Sequence, residues 1–339
     1  MKRVSILGAS GYTGRELAHW LRAHPELELD GFMSAREAAD VAPGDASQPG
    51  AAREASDLEC ERAVEPLDWK RLARADGVFL CTPHGASAEL ARKCLALGAK
   101  VVDLSADFRF KNTQRYERTY GRAHAAPELL AEAVYGLTEH ARDSVASARL
   151  VANPGCYPTS ILLPLLPLYE HGVLSRDAHV VADSKSGVSG AGKNPSARTH
   201  FGAVHENFCA YGVGTHRHAP EIHAQTGTER IVFVPHLLPV FRGILSTLYF
   251  APEKRASARD VRDVLQHAYS GEPFVRVFAK DMPELRGVQH TNECHIGVES
   301  CGDSIVIVSV IDNLVKGAAG QALQNMNLML GCEERAGLS

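Results

Sequence analysis

Cys156 lies in the run Asn153-Pro154-Gly155-Cys156-Tyr157-Pro158-Thr159, directly before the apolar stretch Ser160-Ile161-Leu162-Leu163. Proline and glycine ahead of the cysteine spell a tight turn, and the apolar stretch a helix. The sulfur is therefore predicted at a helix N-terminus, where unpaired amide hydrogens and aligned peptide dipoles favour a thiolate. A thiolate can attack an acyl group and hold it as a thioester. The plainer reading is a small thiol filling a core, the state of most cysteines. A second cluster, Gly214-Thr215-His216-Arg217-His218-Ala219-Pro220-Glu221-Ile222, holds the bases such a thiol needs. In an extended segment His216 and His218 would point one way and Arg217 the other. Pro220 suits the first position of a helix, with Glu221 in its first turn. One imidazole beside the thiol would take its proton and later manage the proton on a thiohemiacetal oxygen. His218, nearer the helix start, is the first choice and His216 the second. Metal binding is the rival use of paired histidines, but no third ligand stands at a diagnostic spacing.

A nucleotide-binding loop is expected upstream. Val4-Ser5-Ile6-Leu7 is a short buried strand, Gly8-Ala9-Ser10-Gly11-Tyr12-Thr13-Gly14 follows, and Leu17, Trp20 and Leu21 then share one side of a helix. The spacing is GxxGxxG rather than GxGxxG, yet the physics is shared: a tight turn, close backbone approach and a phosphate at a helix N-terminus. Gly8, Ser10, Gly11, Tyr12, Thr13 and Gly14 are thus cofactor-binding candidates, weighed against a purely structural turn. The second strand, 27–33, ends in Ser34-Ala35-Arg36. An NAD site usually wants an acid there for the ribose hydroxyls. A hydroxyl and a guanidinium suit a 2′-phosphate instead, so Ser34 and Arg36 predict NADP(H). The competing reading leaves Arg36 in solvent beside Glu37.

These groups need a framework. Strands at 77–81 and 100–104 and a helix through 86–97 continue a βαβ pattern with a mainly parallel sheet. Residues 38–68 show little periodicity and read as loops and an edge strand. Loops at the carboxyl ends of parallel strands face the cofactor, which makes Thr82 and Pro83 walls of that cleft; His84 is either near it or a helix cap. Ser105 and Arg109 are placed to reach an anionic substrate, while Asp107 beside Arg109 reads equally as half of a structural ion pair. Asn153, delivered into the cysteine loop, is a further substrate-binding candidate. Beyond it the chain is β-rich. A strand from 179 leads into the loop 183–193, where Ser186, Gly187 and Gly190 can bring donors to phosphate or ribose. This is not a Walker P-loop, because Asn194 follows Lys193. Strands at 230–236, 244–250, 274–278 and 304–311 predict a mixed or antiparallel sheet with helices on one face. Arg217 and Arg242 are donors for a carboxylate or phosphate. Asn313 is placed to hydrogen-bond a nicotinamide amide, and a helix with a small-residue start runs over 316–327.

The 339 residues suffice for two domains, each with its own core. A formal net charge of -4 gives no basis for binding nucleic acid or membranes. Cysteines at 60, 81, 94, 156, 209, 294, 301 and 332 are dispersed without CxxC spacing, which points to a reducing cytoplasm. The apolar run behind Lys2-Arg3 is too short for a signal core, and no stretch reaches transmembrane length.

The loop at 8–14, Thr82-Pro83-His84-Gly85, the segment 105–109 and the cysteine loop together resemble the N-acetyl-gamma-glutamyl-phosphate reductases. The segments 183–193, 216–222, 235–243 and 313–322 extend the resemblance from end to end. That family serves arginine biosynthesis and is related in fold to aspartate-semialdehyde and glyceraldehyde-3-phosphate dehydrogenases. The resemblance implies Cys156 as nucleophile and a base within His216-Arg217-His218. It implies a Rossmann-type α/β nucleotide domain (1–153), an α+β domain on a mixed, largely antiparallel sheet (154–312) carrying the contacts of a homodimer or homotetramer, and a C-terminal helix (313–339) returning to the nucleotide domain. The implied reaction is NADPH-dependent reduction of the acyl phosphate N-acetyl-L-glutamyl 5-phosphate to the 5-semialdehyde, with release of inorganic phosphate. Reductases acting on carrier-linked aminoadipyl or glutamyl phosphates in lysine biosynthesis share these motifs. An aspartate-semialdehyde dehydrogenase would also carry this chemistry, and a non-enzymatic NADP sensor could keep the fold without it.

Overall fold

The computed structural model describes residues 1–35, 63–194, 196–252 and 256–338. Arg36, and most of the segment expected as loops and an edge strand, lie outside the described residues. The chain forms two compact units: Met1–Thr113, Ala123–Asn153 and Ala322–Ser339 make one, Gln114–Arg122 and Pro154–Gln321 the other.

In the first unit, strands β1 (Lys2–Leu7), β2 (Leu27–Met33), β3 (Gly77–Leu80), β4 (Lys100–Asp103), β5 (Val134–Tyr135) and β6 (Leu150–Ala152) are ordered β2-β1-β3-β4-β6-β5. Every pairing is parallel. Continuous apolar runs suit strands covered on both faces, and Val4, Ile6, Leu7, Val78, Phe79 and Leu80 are wholly buried. Helices α1 (Tyr12–Leu21), α2 (Trp69–Leu72), α3 (Ser87–Ala96), α5 (Thr138–Ser147) and α10 (Gly320–Leu330) complete the unit. Strand order reverses between β1 and β3, the switch point where such sheets leave a ligand crevice at their carboxyl ends.

The second unit is built on β7 (Val180–Ser186), β8 (Cys209–Ala210), β9 (Ile231–Leu237), β10 (Ile244–Phe250), β11 (Val275–Val277), β12 (Cys294–Cys301) and β13 (Ser304–Ile311), in the order β11-β12-β13-β10-β7-β9-β8. β10 runs antiparallel to β7 and β13, and β12 to β13, whereas β7 with β9 and β11 with β12 are parallel. The sheet is thus mixed and largely antiparallel, as expected. β12 has no counterpart among the expected strands, because Cys-His-Ile-Gly-Val-Glu-Ser-Cys carries neither clean alternation nor an apolar run. The helices are α4 (Thr113–Tyr120), α6 (Cys156–Glu170), α7 (Phe201–Val204), α8 (His218–Thr226) and α9 (Ala258–Ala268).

α6 is the core of this unit, buried almost throughout despite Pro164 and Pro167 in its interior. Pro167 cannot donate to the carbonyl of Leu163, four residues back. The Tyr269 hydroxyl at the end of α9 makes that hydrogen bond instead. Two local expectations are corrected. Residues 216–218 are not extended: Arg217 is right-handed helical (φ -60, ψ -15) and α8 begins at His218, so Pro220 is its third residue, where a missing amide hydrogen costs equally little. The helix expected over 316–327 divides into a π turn, Val315–Ala319, and α10. Among the described residues no helix is long and apolar enough to cross a membrane.

Candidate active site

The thiol centre lies in the second unit. Gly155, extended at φ -69 and ψ 155, precedes Cys156, the first residue of α6, and as a glycine offers no side chain of its own to cap the helix. Its first-turn amides are therefore donors without intrahelical acceptors. The Gly155 amide itself donates to Glu221 Oε1 at 2.9 Å, and Glu221 is wholly buried. One carboxylate thus ties the residue before the thiol to α8, the helix that begins with His218. On the other side, the Tyr157 ring stands 5.6 Å from the His216 ring and 5.9 Å from that of His218, and the two imidazoles are 4.8 Å apart. The Tyr157 hydroxyl donates to the His236 carbonyl and lies 3.1 Å from the Tyr211 hydroxyl. Burial raises both phenols above their ordinary pKa, so they stay protonated. His216 Nδ1 accepts the His218 amide hydrogen at 3.1 Å. Burial, and next the neighbouring Arg217 charge, push the His216 pKa down to about 4. Arg217 is exposed.

The loop 183–193 and the last strand end meet in the same unit. Amides of Gly187, Val188 and Ser189 donate to carbonyls of Gly243, Val240 and Phe241. A Cβ at Gly187 would stand 2.6 Å from the Phe241 oxygen, so only glycine permits this approach. Ser186 donates to the Gly187 carbonyl, and a Cβ at Gly190 would come within 2.9 Å of Ser186 Oγ. Asn313 joins the two segments: its Oδ1 accepts the Gly243 amide and its Nδ2 donates to Ser189 Oγ. Arg242 is buried, with Nη1 3.1 Å from Asp312 Oδ2 and 2.8 Å from His290 Nδ1.

In the first unit Gly8 has φ +79, and a Cβ there would stand 2.5 Å from the Cys81 carbonyl oxygen. This glycine holds β1 and β3 together at the switch point. A Cβ at Gly14 would stand 2.8 Å from the Ala9 Cα. Gly11 starts α1, whose N-terminus also lacks a side-chain cap; Tyr12 and Thr13 are its first residues and Ser10 is half-buried ahead of it. A glycine turn ending in uncapped amides fits a bound pyrophosphate. Ser34 follows β2 and donates its amide to Glu65. Pro83 is exposed, while Thr82 bonds Ser87 Oγ at 2.6 Å.

The remaining donors expected for substrate serve the interior of this unit. The Ser105 hydroxyl donates to Asp103, whose pKa is raised to about 6 by burial and then by Asp107. Asp107 accepts the amides of Gly85, Ser87 and Ala88, capping α3. Arg109 donates to the carbonyls of Asn153 and Leu104, and Asn153 Oδ1 accepts from Asn325. His84 Nδ1 accepts the Ala106 amide. Two residues packed around the thiol centre escaped sequence reasoning. Glu221 was visible only as an acid in a first turn, a common stabiliser of any helix. Arg198, over the Tyr211 ring at 5.8 Å, carries no local signal.

Comparison with known proteins defines the class first. Residues 3–148 match the semialdehyde dehydrogenase NAD binding domain, and residues 156–313 the semialdehyde dehydrogenase dimerisation domain. Solved aspartate-semialdehyde dehydrogenases share the fold at low identity. The Vibrio cholerae enzyme II, complexed with ASA, matches at TM-score 0.70 and 17% identity over 98% of each chain. The Candida albicans enzyme with NADP matches at TM-score 0.67 and 16% identity, over 98% of this chain and 99% of that one. The curated relatives are nearer. An N-acetyl-gamma-glutamyl-phosphate reductase of Magnetococcus marinus is 48% identical over 99% of this chain and 97% of its own. That of Pseudomonas savastanoi pv. phaseolicola is 45% identical over 100% and 98%. The chain belongs to the N-acetyl-gamma-glutamyl-phosphate reductase family.

Proposed function

We propose that this chain reduces N-acetyl-L-glutamyl 5-phosphate to N-acetyl-L-glutamate 5-semialdehyde, releasing inorganic phosphate, by way of a thioester on Cys156. The observation that carries the reading is a cysteine at the first position of a helix, flanked by a glycine pinned to buried Glu221 and a tyrosine packed on two imidazoles. NADPH, when bound, supplies the hydride. Residues 8–14 and Ser34 would hold it, with Arg36 proposed for its 2′-phosphate from sequence alone.

His218 takes the thiol proton, and the sulfur bonds to the acyl carbon as the bond to the phosphate oxygen breaks. The proton on His218 passes to the departing phosphate. Amides in the first turn of α6 are the donors for the oxyanion, first at the acyl phosphate and again once the thioester carbon has been reduced. Collapse of that oxyanion breaks the carbon–sulfur bond, frees the aldehyde and returns a thiolate. Exposed Arg217 is the preferred donor for a substrate carboxylate. Ser105, Arg109, Asn153 and Arg242 act through the scaffold, as their buried hydrogen bonds favour.

The outer face of the second sheet supports self-association as a homodimer or homotetramer. Val181 pairs in register with both Val232 and Tyr249, and the three are 38%, 51% and 38% exposed. An apolar row of this kind on a sheet face suits a second copy. Free thiols at every described cysteine support a reducing, cytoplasmic setting.

The reverse reaction, from semialdehyde, phosphate and NADP, tests the assignment. N-acetylglutamate semialdehyde should show a higher kcat/KM than its aminoadipate homologue or aspartate semialdehyde. Cys156→Ser should lose roughly 10³-fold or more in turnover while binding NADPH as the wild type does. A preference for either other aldehyde, or dependence on a carrier, would move the substrate assignment. Near-normal turnover of Cys156→Ser would remove the thioester.

A further inference from the structure

Behind Cys156 the chain takes an unusual path. After β13, the wholly buried Asp312 accepts the amides of Leu314 at 2.9 Å and Val315 at 3.3 Å on Oδ1. Its Oδ2 accepts the His290 amide at 2.8 Å and Arg242 Nη1 at 3.1 Å. A buried pair of this kind is strongly destabilised when one partner is removed, so Asp312 fixes where the next turn begins. That turn is wider than an α-helix. The Gly317 amide bonds the Asp312 carbonyl, and the Ala319 amide the Leu314 carbonyl, each five residues back and each at 2.9 Å. Such π turns are rare and need a packing reason.

The reason is at Gly317. A Cβ there would stand 2.8 Å from the Cβ of Cys156, 3.2 Å from its Cα and 3.3 Å from Ile311 Cδ1. Carbon atoms in contact want about 3.5–4.0 Å. Gly317 does not have a positive φ, so glycine is required here for space and not for backbone freedom.

We infer that Gly317, set by the π turn and the Asp312–Arg242 pair, is a positioning residue that forms the backstop of the Cys156 side chain. It rests on the proposed role of Cys156 as nucleophile. A methyl at 317 must push the start of α6, and with it the sulfur, away from its attack position. Misplacing a reacting atom by about 1 Å can cost about 10²-fold.

Gly317→Ala should therefore lower kcat about 10²-fold and change the pH profile of Cys156 alkylation, mapped by peptide mass spectrometry, with NADPH affinity unchanged. Ala318→Gly, which loosens the same turn without approaching Cys156, should leave both readouts near wild type. A thermal cycle isolates the contact: Gly317→Ala should lower Tm when Cys156 is present and much less when Cys156→Gly has removed the opposing Cβ. If Gly317→Ala fails to fold, recovery of the fold in the double variant supports the backstop just as well. Equal losses in both backgrounds, an unchanged alkylation profile, or NADPH affinity falling in step with kcat would overturn it. Failure of the thioester reading shows separately, as activity in Cys156→Ser, since the alkylation profile and thermal cycle need no turnover.

Discussion

His216 and His218 sit side by side and are suited to different work. His216 Nδ1 already accepts a backbone hydrogen, and its ring is enclosed by Tyr157, Tyr211 and Phe233. With a pKa near 4 it is neutral at pH 7. The folded state binds this proton less tightly than the unfolded chain, where histidine titrates near about 6.5. Its contribution to stability is thus complete above pH ~6.5 and is lost as pH falls toward 4. His216→Asn should flatten the decline of Tm across that window while leaving Cys156 alkylation at neutral pH close to wild type. His218→Asn should slow that alkylation, which is the outcome that separates the base from its neighbour; the reverse pattern would exchange the two roles. The place of Cys156 at a helix start and the pairing of the two imidazoles were legible because turn and helix signals act over a few residues. Glu221 was not, since its bond to Gly155 spans 66 residues and exists only after packing.

At the scale of elements, α6 shows how a sequence that breaks local rules is repaired from a distance. Two interior prolines argue against a helix, yet its burial outweighs them and Tyr269 takes the carbonyl that Pro167 leaves. Tyr269→Phe keeps the ring and removes the donor. It should cost about 1–3 kcal/mol, read as a lower midpoint in urea, and a neutral result would mean that water satisfies Leu163. Strands β2, β10 and β13 were readable residue by residue, the last two from their apolar runs. The π turn was not, because Gly-Ala-Ala-Gly fits an ordinary helix equally well and the departure is set by the Asp312 carboxylate. The bend at 216–218 escaped for a similar reason: Pro220 is acceptable at either the first or the third helical position.

At the scale of the molecule, the nucleotide-binding unit is discontinuous, and α10 is the piece that completes it. Asn325 is wholly buried there, donating to the Gly136 carbonyl at 2.8 Å and Asn153 Oδ1 at 3.1 Å and accepting from Thr138 at 2.7 Å. Met326 fills the space beside Gly77, and Lys2 and Lys100 bond the carbonyls of Leu330 and Met329. Asn325→Ala would strand several buried partners and should destabilise this unit by about 2–4 kcal/mol, measured as loss of protection of the β6 amides from hydrogen exchange. Protection unchanged from wild type would mean that these bonds contribute nothing net. The order of synthesis then runs against the order of completion. Residues 1–153 leave the ribosome first, but their sheet lacks α10 until residues from Ala322 onward have followed. The thiol-bearing unit, whose last residue is Gln321, has all its parts sooner. The unit that is begun first is therefore the one that waits longest for its last piece.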